Sequence, residues 1–103
     1  LVAFDVKADG TLANERTFFD PAAVIKDGTR GGCDGLKVDR EGNLWTSGPG
    51  GILIISPAGK LLGRLLTGQP TANCAWGDDG STLYITANMF LVRVKTLTKG
   101  AGW

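Results

Sequence analysis

The sequence predicts an all-β fold assembled from repeated antiparallel units. Residues 34–45 read DGLKVDREGNLW, and residues 73–84, which begin 39 positions later, read NCAWGDDGSTLY. Each copy has a polar residue, a short apolar strand, an acidic turn with glycine, and a second strand that begins Leu-Trp or Leu-Tyr. A period of about 40 to 50 residues with four short strands per unit is typical of a β-propeller blade.

A second pattern, a hairpin, recurs beside this repeat. Residues 1–6 form an apolar-rich strand, Ala8-Asp9-Gly10 is a tight turn, and residues 11–19 return; residues 51–66 repeat this hairpin around Pro57-Ala58-Gly59. Residues 90–95 repeat the first strand of the hairpin. We therefore predict a partial propeller of about two and a half blades of four-stranded antiparallel sheet. Its expected parts, all within one propeller domain, are an outer hairpin at 1–20, a connecting loop at 21–32, a complete blade at 33–70 and most of the next blade at 71–103.

The two connections between blades lead directly to the repeated polar residues. Residues 21–32 contain a proline and three glycines among charged residues, which is typical of an exposed loop, with a possible helical turn at 22–26. Residues 67–72 form the equivalent connection ahead of Asn73. In a propeller these crossings place Asp34 and Asn73 at the entrance of the central channel.

Composition excludes several functional classes. The net charge is +1, from 11 basic and 10 acidic residues, so the chain lacks the basic footprint of a nucleic-acid-binding protein. No apolar run approaches the roughly 18 residues of a membrane span, and we expect a soluble protein, cytoplasmic or periplasmic. The chain begins at Leu1 without a Met or an apolar signal core, so we expect no targeting segment and a start inside a larger protein.

The two cysteines, Cys33 and Cys74, occupy comparable positions in neighbouring repeats and could approach each other. Two free, half-buried thiols are the favoured interpretation, because cysteine is among the most often buried residue types. A disulfide is the alternative. A cysteine metal site is disfavoured, because the chain has no CxxC motif and no histidine.

Several segments together resemble a known family. They are GCDGLKVD at 32–39, GNLW at 42–45, Gly50-Gly51, NCAWG at 73–77 and TLYIT at 82–86. Their order and spacing resemble the gluconolactonase and regucalcin-like family of six-bladed β-propellers, which includes senescence marker protein and luciferin-regenerating enzyme-like proteins. The match covers nearly the whole chain. Cys33 stands where the family usually has proline.

The resemblance implies a lactonase that depends on one divalent metal ion, calcium first and zinc, magnesium or manganese as alternatives. Asp34 matches one of three family ligands, and the other two, a Glu and an Asn, are expected upstream of Leu1. A hard cation with oxygen ligands can polarise a lactone carbonyl, and Asp34 is also the candidate general base. The alternative for Asp34 is a carboxylate that stabilises the turn at the strand opening.

Other polar and aromatic residues receive weaker assignments. Asn73 is a weak candidate for substrate binding, and a turn-forming asparagine is favoured. Asp39 and Asp78 head turns away from Asp34 and are predicted to be structural. Three aromatic residues are expected to pack between blades, with Trp76 as a possible binding platform: Trp45, Trp76 and Tyr84. Asn88 and Met89 lie in a turn that could border the same channel entrance.

The function predicted from these features is hydrolysis of a sugar lactone or similar small lactone. Two alternatives stay open: a non-enzymatic propeller that serves as a scaffold, and a related propeller of the arylesterase or strictosidine-synthase-like type. The expected partners are the lactone and the remaining blades, from the same or another chain. An incomplete propeller would leave apolar edges exposed, so we expect the isolated chain not to be a stable monomer.

Overall fold

The computed structural model describes residues 1–103 and contains nine strands in three antiparallel sheets. The first sheet consists of β1 (Val2–Val6) and β2 (Leu12–Thr17). The second consists of β3 (Leu36–Val38), β4 (Leu44–Gly48), β5 (Gly51–Ile55) and β6 (Leu61–Leu66). The third consists of β7 (Thr71–Gly77), β8 (Thr82–Ala87) and β9 (Phe90–Lys95). Strands follow one another in sequence order within every sheet, and the predicted all-β class is confirmed.

A short helix, α1 (Pro21–Val24), interrupts the connection between the first two sheets. The sequence predicted a helical turn here, displaced by one or two residues. Asp20 caps the helix, since its carboxylate accepts a hydrogen bond from the backbone N–H of Ala22 at 3.0 Å. Pro21 occupies the first turn, where its missing N–H costs nothing.

The turn between β3 and β4 is organised around the carboxylate of Asp39, which is only 2% exposed. Its Oδ1 accepts hydrogen bonds from the N–H groups of Glu41 (3.0 Å) and Asn43 (2.8 Å). Its Oδ2 accepts from Asn43 Nδ2 (3.0 Å) and Trp45 Nε1 (2.9 Å). These four bonds satisfy a buried carboxylate, which confirms the structural role predicted for Asp39.

One core cluster lies between the second and third sheets: Trp45, Ile52, Cys74, Leu83 and Ile85. Trp45 and Trp76 pack edge to face, with ring centroids 5.2 Å apart, so both tryptophans occupy the predicted place between blades. Tyr84 does not. Its neighbours Leu83 and Ile85 face the cluster, so strand alternation turns Tyr84 to the other face of the third sheet. Its hydroxyl donates to both carboxylate oxygens of Asp78 at 3.2 Å.

A second core cluster covers the opposite face of the second sheet. Phe19, Leu53 and Ile55 form its buried centre, and Leu1, Phe18, Ile25, Cys33, Leu44 and Leu61 pack around them. Leu53 and Ile55 therefore face this cluster, while Ile52 and Ile54, which alternate with them along β5, face the other. The central strand β5 is buried on both faces, as expected for a complete blade between two neighbours.

The last eight residues join the second and third sheets at the end opposite Asp34. The N–H of Arg40 donates a hydrogen bond to the carbonyl of Lys99 at 2.9 Å. The N–H of Ala101 donates to the carbonyl of Val38, also at 2.9 Å. Gly100 forms an isolated antiparallel bridge with Asp39. This segment thus adds backbone pairing between two sheets whose strands do not otherwise pair.

The predicted exposed apolar edges are present. Val2, Val6 and Leu12 lie exposed on the first hairpin, and Leu91 is 70% exposed on β9 at the other end of the chain. The third sheet has three strands where the second has four. Self-association of the isolated chain stays a prediction. None of the helical structure is long and apolar enough to cross a membrane.

Candidate functional site

The two inter-sheet connections and the β8–β9 turn meet around one open cavity of about 550 Å³. We call it the mouth cavity. Its lining residues are Gly31, Gly32, Cys33, Asp34, Pro70, Thr71, Ala72, Thr86 and Asn88. Asp34 is the only carboxylate among them, no basic side chain lines the cavity, and none of the lining side chains is large and apolar.

Asp34 combines a fixed backbone with a free carboxylate. Its N–H donates a hydrogen bond to Ser47 Oγ at 2.9 Å. Ser47 is fully buried on β4, and its own N–H donates to the carbonyl of Gly35 at 3.0 Å. The Asp34 side chain is exposed, and neither of its oxygens accepts a hydrogen bond from the chain. The carboxylate therefore keeps all its acceptor capacity for a ligand.

The backbone just ahead of Asp34 lies close to the β4–β5 turn. Gly31 has a φ of 132°, and a Cβ at this position would stand 2.9 Å from the carbonyl oxygen of Gly48, closer than real Cβ contacts. The N–H of Gly50 donates to the carbonyl of Arg30 at 3.1 Å. A glycine is thus required at position 31 both for its conformation and for space.

A side-chain tether holds the middle of the same connection. Arg64 on β6 forms an ion pair with Asp27 and donates a second hydrogen bond to Thr29 Oγ1 at 3.1 Å. The hydrogen bonds from Arg64 and Thr29 hold the pKa of the Asp27 carboxyl well below its usual range. The outer strand of the second sheet thereby fixes the loop that delivers Asp34.

Asn73 lies on β7 beside the start of β3 and is not among the residues lining the mouth cavity. Its Oδ1 accepts a hydrogen bond from the N–H of Cys74 at 2.8 Å. Its side chain rests against Gly35, whose N–H donates to the carbonyl of Ala72 at 2.8 Å. These contacts agree with a local structural role, and substrate binding by Asn73 stays a prediction.

The third sheet contributes Thr86 and Asn88 to the mouth cavity. Of the two residues expected from the sequence to border the entrance, Asn88 lines the cavity, whereas Met89 is 82% exposed and does not. The sequence predicted no role for Thr86 beyond its place in the TLYIT segment. Strand alternation could have indicated its position. Leu83 and Ile85 are buried on one face of β8, so Thr86 lies on the opposite face of that strand.

Both cysteines are free thiols, as the favoured interpretation predicted. Cys33 is half-buried beside Asp34, and Cys74 is buried between the sheets, where its Sγ lies 3.6 Å from the carbonyl of Trp45. Burial raises the pKa of both thiols above the ordinary value. At neutral pH both are therefore protonated and weakly nucleophilic.

The chemistry of the donor set limits what this chain can do with a metal ion. No three His, Cys, Asp or Glu side chains of residues 1–103 lie close enough together to hold one. Asp34 is the single carboxylate of the mouth cavity, whereas Asp39 and Asp78 head turns at the opposite ends of their strands. Residues 1–103 therefore do not form a complete metal site by themselves, and Asp34 is the one carboxylate that the mouth cavity offers.

A second cavity, of about 450 Å³, lies at the end opposite Asp34. It is bordered by Asp39, Glu41, Trp45, Leu65 and the segment after β9. The Asp39 carboxylate is already satisfied by four donors, and Glu41 accepts a hydrogen bond from Thr98. Of these two cavities, only the mouth cavity contains a carboxylate that accepts no hydrogen bond from the chain.

Comparison with known proteins decides the family. The sequence model described as the SMP-30/Gluconolactonase/LRE-like region matches residues 1–89. The chain belongs to this family. A curated member, the gluconolactonase of Zymomonas mobilis, is 47% identical over 75 residues, which are 71% of this chain and 21% of that protein.

Solved structures of SMP-30/gluconolactonase-like proteins share the fold. One protein assigned as a gluconolactonase aligns with a TM-score of 0.83 at 31% identity, over 96% of this chain and 32% of that chain. A gluconolactonase from Xanthomonas campestris aligns with a TM-score of 0.76 at 32% identity, over 91% of this chain and 29% of that chain. A luciferin-regenerating enzyme aligns with a TM-score of 0.78 at 26% identity, over 96% of this chain and 39% of that chain. The chain thus spans 21% of the curated relative and 29 to 39% of these structures.

Proposed function

We propose that the protein carrying this chain hydrolyses a small lactone, and that Asp34 is the reactive group supplied by residues 1–103. The observation that supports this is the state of Asp34: its backbone is held by buried Ser47, while its carboxylate is exposed and unbonded in the mouth cavity. A carboxylate with only a structural role would be expected to use its oxygens locally, as Asp39 does. Membership of the lactonase family supports the reaction class.

Asp34 has two proposed roles in this reaction. As a ligand, it would provide one oxygen to a divalent cation, with calcium the first expectation and zinc, magnesium or manganese the alternatives. When bound, such a cation supplies polarisation of the lactone carbonyl and lowers the pKa of a coordinated water. The remaining ligands would come from outside residues 1–103, because no second carboxylate lines the mouth cavity.

As a general base, the Asp34 carboxylate would accept a proton from the attacking water at one Oδ atom. The oxygen of that water forms a bond to the lactone carbonyl carbon. The bond between the carbonyl carbon and the ring oxygen then breaks, and the ring oxygen takes up the proton from Asp34 and becomes a hydroxyl group. The product is the open hydroxy acid. Exposure of Asp34 to the mouth cavity allows both the water and the ring to reach it.

The proposal is tested in the complete protein that carries residues 1–103. Hydrolysis of glucono-1,5-lactone and calcium binding are measured for the wild type, for Asp34→Asn, and for Glu15→Gln as a control. Glu15 is an exposed acid on β2, outside the mouth cavity, whose side chain makes no hydrogen bond. We expect Asp34→Asn to lower kcat/KM by about 100-fold or more and to weaken calcium binding by about 10-fold or more.

Removal of divalent ions with a chelator should abolish hydrolysis in the wild type, and added calcium should restore it. Glu15→Gln should match the wild type in both measurements. Full activity of Asp34→Asn in a folded protein would contradict the role of Asp34. Calcium binding without any lactone hydrolysis would instead favour a non-enzymatic propeller.

A further inference from the structure

We infer that Asn88 and Thr86 recognise hydroxyl groups of the substrate and give the mouth cavity a preference for polyhydroxylated lactones over unsubstituted ones. The inference rests on the proposed function, to which it adds the residues that determine specificity. Both side chains line the mouth cavity from the third sheet, whereas Asp34 lines it from the connection ahead of the second sheet. A ring held beside Asp34 would therefore meet Thr86 and Asn88 on another side.

Asn88 has unused hydrogen-bonding capacity in the cavity. It lies in the β8–β9 turn with a φ of 57°, a conformation that asparagine and glycine tolerate better than other residues. Its Nδ2 donates to Gln69 Oε1 at 3.3 Å, a long hydrogen bond, and its Oδ1 has no partner. Asn88 thus keeps one N–H donor and its carbonyl oxygen for a ligand, while Gln69 orients the amide.

Thr86 has a similar capacity. Its Oγ1 donates to the carbonyl of Asn73 at 3.3 Å, so the lone pairs of this hydroxyl are free to accept hydrogen bonds. Thr86 also lies on the exposed face of β8, where a ligand can approach. Thr86 can therefore accept a hydrogen bond from a substrate hydroxyl. Asn88 can donate a hydrogen bond to a substrate hydroxyl and accept one from it.

The other cavity walls favour a polar ring of modest size. A Cβ built on Gly32 meets no atom within 4 Å, so the backbone on the Asp34 side leaves open space. The remaining lining residues are small, and no large apolar or aromatic side chain is present to hold an aromatic group. The cavity therefore offers hydrogen bonds without an apolar platform, which suits a ring bearing several hydroxyl groups.

The expected size of the effect follows from the exposure of the site. One hydrogen bond in a partly exposed site changes affinity by about 3- to 10-fold. A fully buried polar site would discriminate much more strongly, because its groups would be left unpaired by the wrong substrate. We therefore expect each of Asn88 and Thr86 to change the preference between the two lactone classes by about 3- to 10-fold.

The structure defines variants that remove only the hydrogen-bonding groups. Asn88→Gly deletes the amide and keeps a residue that accepts a φ of 57°. Thr86→Val replaces the hydroxyl by a methyl group of similar shape, and Thr86→Ser restores the hydroxyl. Asn14→Gly is the matched control, because Asn14 also has a positive φ (54°) but lies on β2, away from the mouth cavity.

The experiment compares kcat/KM for glucono-1,5-lactone and δ-valerolactone in the complete protein. We expect the ratio of the two values to fall by about 3- to 10-fold in Asn88→Gly and in Thr86→Val. Thr86→Ser should recover most of the ratio, and Asn14→Gly should retain the wild-type ratio. An unchanged ratio in both Asn88→Gly and Thr86→Val, or equal losses with the two lactones, would overturn the inference.

A binding measurement separates this inference from the proposed function. Gluconolactam keeps the ring hydroxyl groups but resists hydrolysis, so its dissociation constant can be measured by calorimetry whether or not the protein is a lactonase. Absence of lactone hydrolysis in the wild type would refute the proposed function. Gluconolactam binding that is as tight in Asn88→Gly and Thr86→Val as in the wild type would refute hydroxyl recognition.

Discussion

Replacement of Gly35 by alanine tests how the packing between the start of β3 and β7 holds Asp34 in place. A Cβ on Gly35 would lie 2.0 Å from Oδ1, 2.2 Å from Cγ and 2.8 Å from Cβ of Asn73. All three distances are too short for unbonded atoms, so the Asn73 side chain or the β3–β7 spacing must shift. Overpacking of this kind costs about 1–3 kcal/mol. Displacement of Asn73 also removes the Oδ1 hydrogen bond from Cys74, worth about 0.5–1.5 kcal/mol.

We therefore expect Gly35→Ala to lower the free energy of unfolding by about 2–4 kcal/mol. The assay is urea unfolding of the complete protein followed by tryptophan fluorescence, to which Trp45 and Trp76 between the sheets contribute. Gly63→Ala is the matched control, because a Cβ on Gly63 in β6 meets no atom within 4 Å. Alanine at this strand position should be neutral or stabilising by up to about 1 kcal/mol.

A second substitution identifies Asn73 as the obstacle. Asn73→Gly removes all three of the atoms that the new Cβ would meet, so the double variant should be more stable than the sum of the two single effects predicts, by about 1–3 kcal/mol. Strictly additive effects, or a Gly35→Ala variant as stable as Gly63→Ala, would refute the proposed packing between β3 and β7.

Three further predictions concern other parts of the chain. Asp39→Ala should lower the free energy of unfolding by about 2–4 kcal/mol, because Trp45 Nε1 would remain buried without an acceptor; a loss below about 1 kcal/mol would contradict this. Asp27→Asn should destabilise the protein at about pH 7. The folded-state pKa of Asp27 is depressed by Arg64 and Thr29, so the stability difference between wild type and Asp27→Asn should persist above about pH 4 and shrink as the pH falls towards about pH 2. A difference in urea midpoint that is equal at both ends of that pH range would contradict this prediction. Cys33 should react with a thiol reagent before buried Cys74 in a mass-spectrometric time course, and equal rates would argue against the observed burial.

The features that the sequence predicted correctly depend on short-range patterns. Asp39 and its four hydrogen bonds lie within six residues of one another, so an acidic turn motif was sufficient to indicate a structural role. The strands carry alternating or continuously apolar residues bounded by glycine turns, which indicate a sheet without knowledge of its neighbours. The two tryptophans between the sheets follow from their place on such strands.

The features that the sequence did not reveal depend on how the sheets are placed relative to one another. The Gly35–Asn73 contact, the Arg64–Asp27 ion pair and the Ser47 hydrogen bond to Asp34 join residues 13 to 38 positions apart. Each requires the register between elements, which local patterns do not specify. Tyr84 illustrates the limit, because its place on a strand does not specify on which face of the third sheet it lies; the structure places it opposite Leu83 and Ile85.

Hydrolysis of glucono-1,5-lactone by the folded Asp34→Asn variant tests the central claim most directly. Asparagine keeps the size of the side chain and the backbone hydrogen bond to Ser47, but it removes the charge and the proton acceptor. We expect kcat/KM to fall by about 100-fold or more while the melting temperature stays at the wild-type value. A kcat/KM within about twofold of the wild type would contradict the assignment of Asp34 as the reactive residue of this chain.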